Sequence, residues 1–115
     1  MTLPERTIVN IHDTPYDPYD LDGPIQDEMK QLAISYDATT RRGIYMIRME
    51  PGAETIAHTH KCMEEFLILE GELIESDGTV LKKGDFCSYL AGTYHNSRTE
   101  TGCLLVGFDW DRPEA

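Results

Sequence analysis

Between Gln31 and Trp110 no stretch of this chain holds one pattern for long. Short runs of aliphatic, aromatic and β-branched residues are each closed by Gly or Asp, and another run follows. Gln31–Tyr36 and Gly43–Met49 read as strands, the second ended by Pro51-Gly52. Phe66–Leu69 is wholly apolar and is closed by Gly71. Leu73-Ile74, Val80-Leu81, Phe86–Leu90 and Cys103–Trp110 follow, separated by turns at Ser76-Asp77-Gly78, Gly84-Asp85 and Gly92. Short strands with turn residues at roughly eight-to-twelve-residue spacing predict an all-β sandwich or barrel. No longer window carries a helical period.

The segment before Gln31 is written differently. Residues 12–20 hold two prolines and several aspartates, and Asp22-Gly23-Pro24 comes next. Proline fixes φ and removes a donor, so an irregular arm is expected over residues 1–30, belonging to the same domain as a barrel over residues 31–112. Thr7–Val9 is a possible edge strand, and Ile25–Met29 is given at most one helical turn.

The chain has 115 residues, close to the commonest size for one domain, and carries a net charge of −11. Ten Lys+Arg against 21 Asp+Glu, with no basic run longer than a pair, argue against nucleic acid and anionic membranes as partners. No apolar stretch is long enough for a membrane span, and no secretory signal opens the chain. Cys62, Cys87 and Cys103 form neither a disulfide framework nor a CxxC pair, which fits a reducing cytoplasm.

The segment that carries chemistry is Gly52–Gly71, GAETIAHTHKCMEEFLILEG. Residues two apart on a strand share a face, about 6–7 Å apart along it, so His58 and His60 can turn toward one ion. Glu64 or Glu65 can add an oxygen, and His95 can come in from a neighbouring strand. Three imidazoles and a carboxylate suit Fe, Mn, Ni, Cu or Zn as a single divalent ion.

The embedding of these residues resembles the cupin superfamily. Gly52, His58, His60, Glu64 and Gly71 fit each position of the first cupin motif. Gly84, Gly92 and His95 fit the second, with Leu90 where proline is usual and Thr99 where asparagine is usual. The resemblance implies a double-stranded β-helix, the cupin jelly-roll barrel, with His58, His60, Glu64 and His95 as metal ligands. Glu65, the competing carboxylate, then faces outward. The run HTHKCMEEFLILEGELIESDG is most similar to the cupin domain of anti-sigma factors and to diketone-cleaving dioxygenases, without a long N-terminal helical region for binding a sigma factor.

The resemblance implies a metal-dependent small-molecule enzyme, a dioxygenase or related oxidoreductase, with Glu64 as the catalytic carboxylate. A metal-dependent isomerase or lyase, a non-catalytic metal- or ligand-sensing module and a structural zinc protein are the alternatives. A homodimer is expected. Strand alternation turns Phe66 and Ile68 inward with Glu64, and leaves Leu67 and Leu69 to be covered by the arm or a second subunit. Arg48 is weighed as a carboxylate clamp and as an outward rim residue. The carboxylates from Glu70 to Asp77 are expected to be solvated.

Overall fold

A computed structural model describes residues 3–20 and 23–113. The expected turn at Asp22-Gly23-Pro24 begins outside them. The described residues form ten strands and no helix, so none of them belongs to a helix long and apolar enough to cross a membrane. The strands are β1 (Asp17–Tyr19), β2 (Gln26–Asp37), β3 (Arg42–Met49), β4 (His58–Thr59), β5 (Met63–Glu75), β6 (Val80–Lys82), β7 (Phe86–Tyr89), β8 (Tyr94–His95), β9 (Ser97–Arg98) and β10 (Cys103–Trp110).

All pairings between them are antiparallel. The main path runs β1-β2-β3-β10-β5-β6, and β7 and β9 also pair with β5, while β4 and β8 form a separate two-stranded sheet. Strand β5 is the hub. Its first half lies between β10 and β7, and its second half pairs with β6 and β9. The sheet thus curls around β5, and the inward side chains of all its walls meet in one core.

Alternation along the strands separates two apolar clusters. Tyr45, Ile47 and Met49 of β3 meet Phe66, Ile68 and Leu73 of β5 and Leu105 of β10 inside the barrel. The opposite face, Leu32, Met46 and Leu104, is covered by Val9, Ile11 and Tyr16 of the arm together with Ile34, Leu69 and Val106. Burying each such aliphatic side chain contributes about 1.5–3 kcal/mol, so the arm acts as a second wall to the core. Leu69 thereby finds its cover in the arm. Arg48 lies on this outer face, with its guanidinium 5.0 Å from the centre of the Tyr16 ring, and is not a clamp inside the barrel.

Several local expectations fail, and the arm expected to be irregular carries strand β1 over Asp17–Tyr19. The turn of helix expected over Ile25–Met29 does not form: β2 begins at Gln26, and its pairing with β3 buries Met29 in the core. Thr7–Val9 forms no strand, and Val9 serves through its side chain alone. Gly71 does not end a strand. It bends β5 at φ +75°, and a Cβ there would stand 2.0 Å from the carbonyl oxygen of Gly102.

Gly71→Ala should therefore cost on the order of 2–4 kcal/mol, since the obstacle is backbone. Gly78→Ala, at φ +89° with nothing within 4 Å of the added Cβ, is strained but unobstructed and should cost about 1 kcal/mol. The midpoints of urea denaturation of the two variants test this ordering.

Candidate metal centre

The short β4–β8 sheet exists to place two histidines. Its register sets His58 opposite His95 and Thr59 opposite Tyr94. The turn that precedes β8 is tied to the same spot, with Gly92 N donating to His60 O at 2.7 Å and His60 N donating to Thr93 O at 3.0 Å. Leu90, standing in the usual proline position, is held by Thr93 instead: its carbonyl accepts the Thr93 hydroxyl at 2.7 Å. Thr99, in the usual asparagine position, is fully buried and donates its hydroxyl to Glu72 O at 2.6 Å. Both departures from the motif keep a hydrogen bond where the turn needs support.

His58, His60 and Glu64 each offer a ligand atom, and these atoms all lie within 4.8 Å of one another. His95 Nε2 joins them, 2.7 Å from His60 Nε2 and 3.2 Å from Glu64 Oε1. Glu64 Oε2 stands 2.7 Å from His60 Nδ1. His60 meets Glu64 through Nδ1 and His95 through Nε2, and one ring gives an ion only one of these nitrogens; the group His58, His60 and Glu64 has the residue types that suit a divalent transition metal. His58 Nδ1 lies 2.8 Å from the carbonyl of Ile56. A carbonyl can only accept, so Nδ1 carries the proton and Nε2 keeps its lone pair in the neutral ring. Glu65 faces away from this cluster and accepts the indole N–H of Trp110.

The electrostatics follow from burial against pairing. Burial opposes the charge on Glu64, but hydrogen bonds to His60 and His95 outweigh it and hold the carboxyl at about 2. Burial likewise opposes a charged His95, yet Glu64 and Glu75 on its two sides raise it to about 9. Two imidazole nitrogens 2.7 Å apart need a proton between them, or a common cation for both lone pairs.

Sequence reasoning missed the second layer. Glu75 was expected to be solvated, but it is 4% exposed and lies behind His95, its Oε1 3.4 Å from His95 Nδ1. It accepts the Tyr89 hydroxyl at 2.7 Å and the Ser97 hydroxyl, and the Tyr89 ring stacks on His95 at 4.0 Å. Asp109 was also missed. It lies opposite Glu64 in the β10–β5 register and accepts the Tyr45 hydroxyl at 2.9 Å. Burial pushes its carboxyl up to about 6. Alternation along β10 points to it, since Leu105, Gly107 and Asp109 share a face. Gly107 is needed there, because a Cβ would meet the Tyr45 ring at 2.4 Å. Burial raises the thiols of Cys62, Cys87 and Cys103, so none is a thiolate at neutral pH. Tyr94, beside His95, is 68% exposed and forms no part of the core.

Two spaces meet at the cluster. An inner cavity of about 60 Å³ is walled by core residues such as Tyr19, Met49 and Leu105. An outer cleft of about 370 Å³ opens from His58, His60 and Glu64 past Tyr36, Arg41, Arg42 and Asp109.

A curled antiparallel sheet closing on an inward His/Glu cluster defines a jelly-roll protein of the cupin type. The chain belongs to the ChrR cupin-like family, whose profile matches residues 4–111. No curated protein matches it. Among solved structures, an RmlC-like cupin from Shewanella frigidimarina is 21% identical, with 94% of each chain covered and a TM-score of 0.70. An acetylacetone dioxygenase from Acinetobacter johnsonii is 13% identical over 95% of this chain and 77% of its own, with a TM-score of 0.73. The Rhodobacter sphaeroides complex of SigE with the anti-sigma ChrR is 14% identical over 88% of this chain and 52% of the matched one, with a TM-score of 0.69. At these identities the likeness is one of fold.

Ligands bind a metal in their deprotonated forms, and His95 is protonated up to about 9 without one. Zn(II) uptake at pH 7 should therefore release about one proton, and affinity should rise with pH until about 9 and fall on acidification. Calorimetry in buffers of different ionisation enthalpy measures the proton count.

Proposed function

We propose that this protein is a metal-dependent small-molecule enzyme, a dioxygenase or related oxidoreductase, whose one divalent ion is held by His58, His60, Glu64 and His95. The observation that carries the reading is the convergence of His58, His60 and Glu64 on an open cleft of small-molecule size, with His95 beside His60 and Glu64 on the inner side. A structural zinc site is instead closed by its own ligands. Membership of the ChrR cupin-like family and the fold shared with an acetylacetone dioxygenase support the choice of chemistry.

A transition metal in this set would supply Lewis-acid polarisation of a substrate oxygen and, as iron, the means to activate dioxygen. The chain's own residues do the rest. His58 is oriented by the Ile56 carbonyl, and His95 by the stacked Tyr89 ring with Glu75 behind it. Glu64 stays ionised at neutral pH, and in this reading it is the catalytic carboxylate, which would leave the ion to take a proton from an enolisable substrate. Asp109 and Tyr45 present a second carboxyl and a hydroxyl to the same cleft. Reduced thiols at all three cysteines suit the cytoplasm as its compartment.

A homodimer is part of the reading. Phe86, at the edge of an apolar hollow with Phe108 and Trp110, is more than half exposed, and a second copy would cover it. Sedimentation equilibrium should give twice the chain mass, with Phe86→Glu shifting it to monomer.

A second reading, a non-catalytic metal- or ligand-sensing module, is favoured by the fold shared with ChrR in its complex with SigE. Metal analysis and oxygen uptake separate the two. The enzyme reading expects about one metal per chain. It also expects oxygen consumption by the Fe(II)-loaded protein with an enolisable β-dicarbonyl. His58→Ala and Glu64→Gln should each weaken metal binding by about 10–100-fold or more. A tightly bound metal with every position closed and no turnover would overturn it in favour of the module.

A further inference from the structure

The ligand cluster is a partition between two unlike spaces. His58, His60 and Glu64 line both the outer cleft and the inner cavity, while His95 lines the inner cavity. On the outer side stand charges of both signs, Arg41, Arg42, Lys61 and Asp109. On the inner side stand Ile47, Met49, Phe66, Leu73 and Leu105, all members of the buried core.

The inner wall also carries hydroxyls, and these are committed. Thr55 Oγ1 donates to Ser97 O at 3.2 Å and accepts Ser97 N at 2.8 Å. Ser97 Oγ donates to Glu75, and the Tyr45 hydroxyl donates to Asp109 Oδ1 at 2.9 Å. A polar group entering this space gives up its water and finds each of these donors taken, which is costly. An apolar group gains by leaving water and asks for no partner. A sugar, with a hydroxyl on nearly every carbon, is unsuited to the cavity on the same ground.

The size of the space narrows the choice further. Protein interiors pack so closely that a space larger than a water molecule is uncommon. The cavity measures about 60 Å³. A group the size of a water or a methyl takes roughly 10–15 Å³, which leaves room for about four to six carbons. Pairing of the strands keeps the walls in place, with Ile47 opposite Leu105 in the β3–β10 ladder.

We infer that the substrate carries a short alkyl group beside its metal-binding oxygen, and that this group, of at most about six carbons, is seated in the inner cavity. The oxygen lies at the partition beside His58, His60 and Glu64, and the polar remainder faces the outer cleft. This inference rests on the metal-dependent reading and names the substrate class of that same site.

The test uses straight-chain hydroxamates, which share one metal-binding head and differ only in the alkyl tail. Aceto-, butyro-, hexano- and decanohydroxamate are titrated into the Zn(II)-loaded protein by calorimetry. Hexanohydroxamate is expected to bind at least about tenfold more tightly than acetohydroxamate, and decanohydroxamate no more tightly than hexanohydroxamate. Leu105→Ala lengthens the cavity and should raise the affinity for decanohydroxamate relative to hexanohydroxamate by at least about threefold. Where that variant does not fold, the native protein decides by NMR: nuclear Overhauser contacts should run from the hexanohydroxamate tail to the methyl groups of Met49, Leu73 and Leu105. Binding of none of the compounds, affinity that ignores tail length or keeps rising through decanohydroxamate, a ratio unchanged in folded Leu105→Ala, or contacts to Phe86 and Trp110 instead overturns the inference. If the chain takes up no Zn(II), the metal-dependent reading itself fails. Methyl butyl ketone titrated into the metal-free protein then decides the cavity alone: contacts to the same three methyl-bearing residues support it, and their absence overturns it.

Discussion

Strand β5 builds both ends of this barrel in 13 residues, and a slip of register lets it do so. Ile68 lies opposite Leu105 and Glu70 opposite Leu104, so Leu69 has no partner in β10. One extra residue in a strand exchanges its two faces. Before the slip, the inward residues are Glu64, Phe66 and Ile68. After it they are Leu73 and Glu75. Gly71 completes the bend at a positive φ where no side chain fits. Through this slip a single strand puts two carboxylates on the inside, one on each side of His95.

That constraint also marks where the sequence could be read and where it could not. The first half of β5 obeys strict alternation, so Glu64 inward and Glu65 outward follow from the pattern and from the resemblance to the cupin motif. Past Leu69 the same rule assigns the wrong face to every residue, and Glu75 looks like one more acid in a solvated run. Nothing local announces the bulge, because it arises from pairing with β10, some thirty residues further along. The start of β2 was hidden for a similar reason. Ile25–Met29 has no strand pattern of its own, and its pairing with β3 decides its conformation. The all-β class and the coming together of His58, His60, Glu64 and His95 were legible because strand alternation and motif spacing both speak to them. Asp109 was legible in principle from the parity of β10, but a terminal acid in an acidic chain draws no notice.

Four groups that can carry charge (His60, Glu64, Glu75 and His95) are packed together at or near the barrel interior. Burying charge is costly unless it is paired or hydrogen-bonded, and both carboxylates here have such partners. Glu64 faces two imidazoles, and Glu75 accepts hydroxyls from Tyr89 and Ser97. Within this cluster His95 Nδ1 is buried without a hydrogen bond, 3.4 Å from Glu75. The arrangement is poised: a proton shared between His60 and His95 serves the cluster when no cation is present, and a cation would replace that proton. Holding donors in place before binding lowers the cost of ordering them, and binding energy at such a site adds to folding stability.

An acidic chain repels anionic ligands in general, but what a cleft admits is set by the groups that line it. The outer cleft sets Arg41, Arg42 and Lys61 beside Glu64 and Asp109, so charges of both signs line it. Screening over about 8–10 Å at physiological salt leaves the distant carboxylates of the arm with little influence there. The same screening makes these lining charges matter most to a ligand already inside the cleft, where low-dielectric walls focus their field. The net charge of −11 is thus a property of the whole chain, while the electrostatics of the cleft are set by the groups that line it.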